Sequence, residues 1–128
     1  MDARHPIILL MLSERILLHF REPHRAGDLP DATAIAEVTN PVCGDIMRLA
    51  VRVEEGKIAD ARFKTQGCVA SIAAGSALTD LLVGKTVEEA RGIRGEEISS
   101  ALGGLPAASF HAAQLCADAV AAVLKSSR

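Results

Sequence analysis

Between Asp45 and Glu54 the side chains Met47, Leu49, Val51 and Val53 alternate with Arg48 and Arg52. Between Lys57 and Thr65, Ala59, Ala61 and Phe63 alternate with Asp60, Arg62 and Lys64. A period of two is the mark of a strand with one buried face. Glu55-Gly56 lies between the runs and supplies the positive-φ residue that a tight hairpin needs, so the two strands are expected to be antiparallel neighbours. Ala34 to Thr39 fits a third strand. The sum is a small antiparallel sheet with one wet face.

After Cys68 the period changes. Ile72, Leu78, Leu81 and Leu82 fall at helical spacing, with Gly84 as the stop. Short helices are expected near Val87 to Arg91 and Glu96 to Leu102. Gly103-Gly104 then breaks the chain, and Pro106 is placed to start a long helix carrying Ala108, Ala112, Leu115, Ala119 and Val123 on one face. Towards the N-terminus, Pro6, Ile7, Leu10, Met11, Ile16, Leu17 and Phe20 form an amphipathic helical pattern whose apolar face is unusually broad. The stretch from Arg21 to Glu37, with Pro23, Gly27 and Pro30, reads as an irregular crossing loop, too short and mixed for a domain linker.

Length sets one domain over residues 1–128 as the expectation. About half of the residues are apolar, yet the aromatics are three phenylalanines, so the core must be built from Ala, Leu, Ile and Val. No platform for stacking bases can be made from that set, and a net charge of −2 offers no clustered basic excess. Both observations argue against nucleic acid as a partner. The apolar run Ile7 to Leu12 breaks at Ser13-Glu14-Arg15 with no small-residue cleavage site, so neither export nor a membrane span is expected from it. Three widely spaced cysteines do not suggest a disulfide framework; free thiols or metal ligands in a reducing cytoplasm fit better.

Cys43 and Asp45 lie where a loop enters the first hairpin strand, and Cys68 lies where the second strand hands over to a helix. Antiparallel pairing brings those ends together. Cys68 at a helix N-terminus has its thiolate favoured. Gly44 lets the backbone pack closely between two ligands, and Gly67 permits a strand-to-helix turn that a side chain would obstruct. Thiolate, carboxylate and imidazole are the side chains that bind zinc or iron. Spacing alone leaves two readings open: a metal site, or two small buried hydrophobes. His5, His19 and His24 have no cysteine or carboxylate arranged around them and are read as solvated or locally hydrogen-bonded. No nucleophile and base at a known motif, no phosphate loop and no dinucleotide fingerprint is present, so no enzyme activity is expected.

Three segments in succession carry a resemblance: His19-Phe20-Arg21-Glu22-Pro23-His24-Arg25-Ala26-Gly27, Asn40-Pro41-Val42-Cys43-Gly44-Asp45, and Ala61-Arg62-Phe63-Lys64-Thr65-Gln66-Gly67-Cys68-Val69-Ala70-Ser71. With Leu105-Pro106 before His111, the chain resembles the IscU/NifU-like iron–sulfur cluster assembly scaffolds from about His19 to near its C-terminus. The resemblance implies an α+β fold, a three-stranded antiparallel sheet packed against four to five helices. It also implies a transient 2Fe-2S cluster or zinc at an exposed site, a cysteine desulfurase as sulfur source, and apo iron–sulfur proteins as recipients. In such proteins three cysteines and an aspartate serve. By position Cys43 and Cys68 match the first two cysteines, Asp45 the aspartate that keeps the cluster labile, and His111 the histidine before the third cysteine.

That third position is Ala112. A methyl group binds no iron, so a thiol needed there has been lost or has moved to Cys116, about 6 Å further along the helix axis. Cys116 shares its face with Ala119, Val120 and Val123, and core packing is the preferred reading for it. His111, level with the site, is read as a ligand together with Cys43, Asp45 and Cys68. Family members served by an Hsp70-type chaperone carry Leu-Pro-Pro-Val-Lys before the histidine; here the run is Leu105-Pro106-Ala107-Ala108-Ser109, which weakens that expectation. The insertion typical of the zinc-dependent sulfurtransferase branch is absent. Two classes therefore stand: a cluster-assembly scaffold, or a zinc-binding relative that docks on a desulfurase or relays sulfur without building clusters.

Overall fold

A computed structural model describes residues 12–125. Helix α1 spans Glu14–Arg21, strands β1, β2 and β3 span Ala34–Thr39, Ile46–Glu54 and Lys57–Gln66, and helix α2 spans Val69–Leu82. Helices α3 (Val87–Arg91) and α4 (Gly95–Ala101), a 3-10 turn (Ala107–Ser109) and helix α5 (His111–Lys125) complete the order. The sheet is an antiparallel meander, β1-β2-β3. This is the α+β fold expected from the sequence. The helical pattern anticipated from Pro6 is described from Ser13 onward, where the serine caps α1 by accepting the Ile16 N–H at 3.1 Å. Its earlier residues lie outside the described ones.

The hairpin turns on Glu55 (φ +51) and Gly56 (φ +76), two consecutive left-handed residues whose twist suits a two-residue connection. Register departs from simple alternation at one place. Arg52 pairs with Asp60 and Val53 pairs with Ile58, so Ala59 is an extra residue in β3. The bulge changes the phase of the strand and buries Ile58 with Ala61 and Phe63, where alternation alone had put Ala59 inward. The opposite face is not wholly wet. Leu29 of the crossing loop is buried over it, beside the buried Ala50, and the loop is zipped to the edge of β3 by Phe63 N–H to Arg25 O and Gly27 N–H to Phe63 O.

α2 and α5 cover the inner face. α2 is mostly apolar and rich in small residues, which lets its backbone approach the sheet and leaves it buried along most of its length. α5 does not begin at Pro106. The proline is extended (φ −56, ψ 147) and Ala107–Ser109 form a 3-10 turn; Phe110 O then accepts from both Ala113 and Gln114, starting the helix at His111. By length and composition residues 107–125 are apolar enough to cross a membrane, but α5 buries Ala112, Leu115, Cys116, Ala119 and Val123 in the core.

At Gly75 a Cβ would overlap the ring of Phe63, itself 2 % exposed. Alanine at an ordinary helical site gains about 1 kcal/mol over glycine, whereas overpacking costs about 1–3 kcal/mol. Gly75→Ala is expected to lower stability by on the order of 1 kcal/mol, read as a reduced urea midpoint. An unchanged or higher midpoint would show that the ring can move aside.

Candidate metal centre

Ile46 and Gln66 face one another in the β2–β3 register, so the chain entering β2 runs beside the chain leaving β3. Asn40 organises the entering loop. Its Oδ1 accepts the N–H groups of Val42 (2.9 Å) and Cys43 (3.2 Å), while its backbone carbonyl accepts Gly44 N–H and its N–H donates to Asp45 O, both at 2.8 Å. Gly44 takes φ +78, which a side chain would strain. The turn leaves Cys43 exposed and returns Asp45 half-buried.

On the leaving chain Cys68 is the N-cap of α2. The Asp45 carboxylate sits against the first turn of that helix: Oδ2 accepts from Ser71 Oγ at 2.5 Å and makes a long 3.5 Å contact with Cys68 N–H. A negative charge is favoured at this end of a helix. The carboxylate has room because residue 67 is glycine; a Cβ there would stand 2.6 Å from Asp45 Cγ and Oδ2. Desolvation alone would raise the Asp45 pKa. The bonds from Ser71 and Cys68 and the charge of His111 outweigh it and hold the carboxyl below its usual value.

His111, first residue of α5, brings Nε2 to 3.8 Å from Asp45 Oδ2 and 3.7 Å from Cys68 Sγ. One donor atom from each of Cys43, Asp45 and His111 lies within 4.8 Å of the others. Cys68 adjoins the group through His111 and through Ser71 Oγ, 3.4 Å from its sulfur. Sulfur and nitrogen on one tetrahedral zinc are separated by about 3.5 Å given the usual bond lengths, close to the 3.7 Å already present between Cys68 and His111. The two thiols are exposed and the carboxylate and imidazole half-buried.

Cys116 is elsewhere. It is fully buried with Sγ 3.9 Å from Met47 Sδ, and burial pushes its thiol pKa up. An un-ionised thiol against a thioether acts as a packing unit. Ala112 is fully buried too. His5 lies outside the described residues. His19 and His24, for which sequence offered no carboxylate, in fact meet Asp80 of α2. Asn40 and Ser71 were missed as parts of the centre. The signal for Ser71 is its place three residues after the N-cap, where a hydroxyl faces the end of the helix.

Residues 11–127 match the NifU-like N terminal domain family. The chain belongs to that family. It is 42 % identical over 110 residues to "Iron-sulfur cluster assembly scaffold protein IscU 1" of Archaeoglobus fulgidus, covering 86 % of this chain and 72 % of that protein. It is 38 % identical over 118 residues to the IscU scaffold protein of Azotobacter vinelandii, covering 88 % and 91 %. Among solved structures, a NifU-like protein (N-terminal) from Brucella abortus superposes with a TM-score of 0.71 at 22 % identity, covering 89 % of this chain and 92 % of that one. At that identity the likeness speaks for the fold.

Two outcomes are expected. Ser71→Ala removes a donor to Asp45, so the carboxyl pKa rises. A depressed carboxyl contributes stability above its unfolded pKa and loses it as pH falls through the folded one; in the variant that contribution is smaller and its loss is complete at a higher pH. Carbon-detected titration of Asp45 reads the shift, and an unmoved titration would detach Ser71 from the carboxylate. Native alkylation followed by mass spectrometry should modify Cys43 and Cys68 and leave Cys116 unmodified until denaturant is added.

Proposed function

We propose that this chain is a scaffold on which an iron–sulfur cluster is assembled and then passed to apo-proteins, the cluster being held by Cys43, Asp45, Cys68 and His111. The observation that carries the reading is the convergence of these donors from a loop, a strand end and two helix starts onto one accessible rim. Relatives named as cluster assembly scaffolds, with the family membership, support it.

The chemistry follows from the side chains. Thiolate, not thiol, binds iron, and Cys68 stands exposed at the N-terminus of α2. Asp45 is ionised at neutral pH, and its carboxylate, anchored at Oδ2 by Ser71, faces His111. Two sulfurs, one oxygen and one imidazole nitrogen make four ligands, and imidazole can replace thiolate on one iron of a 2Fe-2S cluster. Cys43 and Cys68 are both exposed, so a sulfur donor can reach either thiol. Exposure suits a cargo that must leave. The sulfur donor in this reading is a cysteine desulfurase, the recipients are apo iron–sulfur proteins, and the compartment is the reducing cytoplasm.

A second reading has one observation in its favour: Ala112 leaves the centre with two thiols, enough for zinc in a relative that docks on a desulfurase or relays sulfur without assembling clusters. Anaerobic incubation with desulfurase, cysteine and ferrous iron separates them. The scaffold is expected to acquire iron and acid-labile sulfide together, to lose an order of magnitude or more of that yield in Cys43→Ser or Cys68→Ser, and to keep it in Cys116→Ala. Stoichiometric zinc that no cluster displaces would favour the second reading, and a yield that falls with Cys116→Ala would place a ligand in the core.

A further inference from the structure

A second group of metal-ligating side chains lies where α1 and the crossing loop meet α2. His19 comes from α1, His24 from the loop, and Ser76 and Asp80 from successive turns of α2. The loop is pinned on both sides of His24. Its N–H donates to Ser76 Oγ at 2.7 Å, its carbonyl accepts from Thr79 Oγ1 at 3.3 Å, and both hydroxyl residues are fully buried. Arg25 next to it takes φ +57 and is held against β3 through Phe63. Ser76 Oγ also lies 2.6 Å from His19 Nδ1, fixing that ring. The two imidazoles stand with centroids 4.9 Å apart, and His24 Nδ1 is 2.8 Å from Asp80 Oδ2. One donor atom from each of His19, His24 and Asp80 lies within 4.8 Å of the other two.

We propose that His19, His24 and Asp80 form a second divalent-metal site, of the two-histidine, one-carboxylate class, sharing no residue with the Cys43–His111 centre. A surface ion pair accounts for part of the arrangement: Arg25 Nη1 lies 2.6 Å from Asp80 Oδ1, and His24 completes the group. It does not account for a second imidazole locked beside the first by a buried serine. Without a cation the neighbouring rings gain only a modest aromatic contact, and protonating both would place like charges together. A metal ion uses the lone pairs of both. A hydrogen bond at the far nitrogen of a ligating histidine is the usual way to set its ring, and Ser76 supplies one for His19. Neighbouring nitrogen and oxygen donors on a six-coordinate ion stand about 3 Å apart, near the separation already present between His24 and Asp80.

The donors define the ligand. Nitrogen and oxygen without sulfur suit zinc, cobalt, nickel or ferrous iron over the softer ions. His24 and Asp80 are exposed enough for an ion to enter from solvent, their side chains being 53 % and 37 % accessible. Arg25 keeps one carboxylate oxygen and opposes the ion electrostatically, so this site is the weaker of the two.

Cobalt(II) distinguishes the sites, because a thiolate ligand adds a strong charge-transfer absorption that imidazole and carboxylate lack. The tag-free chain of residues 1–128 carrying Cys43→Ser and Cys68→Ser is dialysed against Co2+. One equivalent with d–d bands and no thiolate charge transfer is expected. Adding His24→Ala or Asp80→Asn, both changes of exposed side chains, should weaken that binding about tenfold or more, with circular dichroism showing an unchanged fold. No cobalt retained by the double-serine chain, or retention unaltered by both further substitutions, would overturn the proposal.

Discussion

The pairing of Ile46 with Gln66 is the constraint from which the centre follows. Antiparallel geometry puts the last residues before β2 and the first residues after β3 at one end of the sheet, and everything added there is local. Asn40 folds the entering loop onto itself, Gly67 leaves a hollow, and the carboxylate of Asp45 fills it against the first turn of α2. A slip of one residue in this register would turn Met47, Leu49 and Val51 out of the core and carry Asp45 away from the helix. The core and the metal centre thus depend on the same ladder, which is why the bulge at Ala59, at the far end of the hairpin, matters for both. It absorbs the mismatch between turn and core without shifting the pairs near Asp45.

How much of this was legible in the sequence differs from element to element for identifiable reasons. β1 and the hairpin could be read because alternation and the Glu55-Gly56 turn agree. The bulge was overlooked although its mark was present: Ile58 is out of phase with Ala61 and Phe63, and three apolar residues in simple alternation hid the larger one. The start of α5 was misplaced because Pro106 signals the beginning of a helix but cannot tell an α-helix from a 3-10 turn. Cys43, Asp45, Cys68 and His111 were legible as a group because the hairpin forces three of them together. Ser71 and Asn40 were not, since a hydroxyl or an amide declares its role only once its partner has a position.

The same limit explains His19 and His24. Nothing local to residues 19–25 indicates a carboxylate, and Asp80 arrives only when α2 packs across α1. Its approach is set by Ser76 and Thr79, polar residues buried in an otherwise apolar helix. Each is satisfied by the crossing loop, so the loop and helix fix one another.

Asp45 carries two duties that compete. As a helix cap it shares Oδ2 between Ser71 and Cys68 N–H and lowers the cost of the unpaired amides at the start of α2. In the proposed role as a metal ligand it would give charge to an ion, and each of those hydrogen bonds would withdraw part of that charge. A carboxylate so engaged is a weaker ligand than a free one, yet it is held in place without the ion. Where a mobile carboxylate would have to be ordered, the proposed centre would combine two cysteine sulfurs and an imidazole with a carboxylate whose position is already set by the helix. With alanine at 112 and a hydrogen-bonded aspartate at 45, the proposed scaffold role calls for a preformed site that would bind its metal with moderate strength and release it.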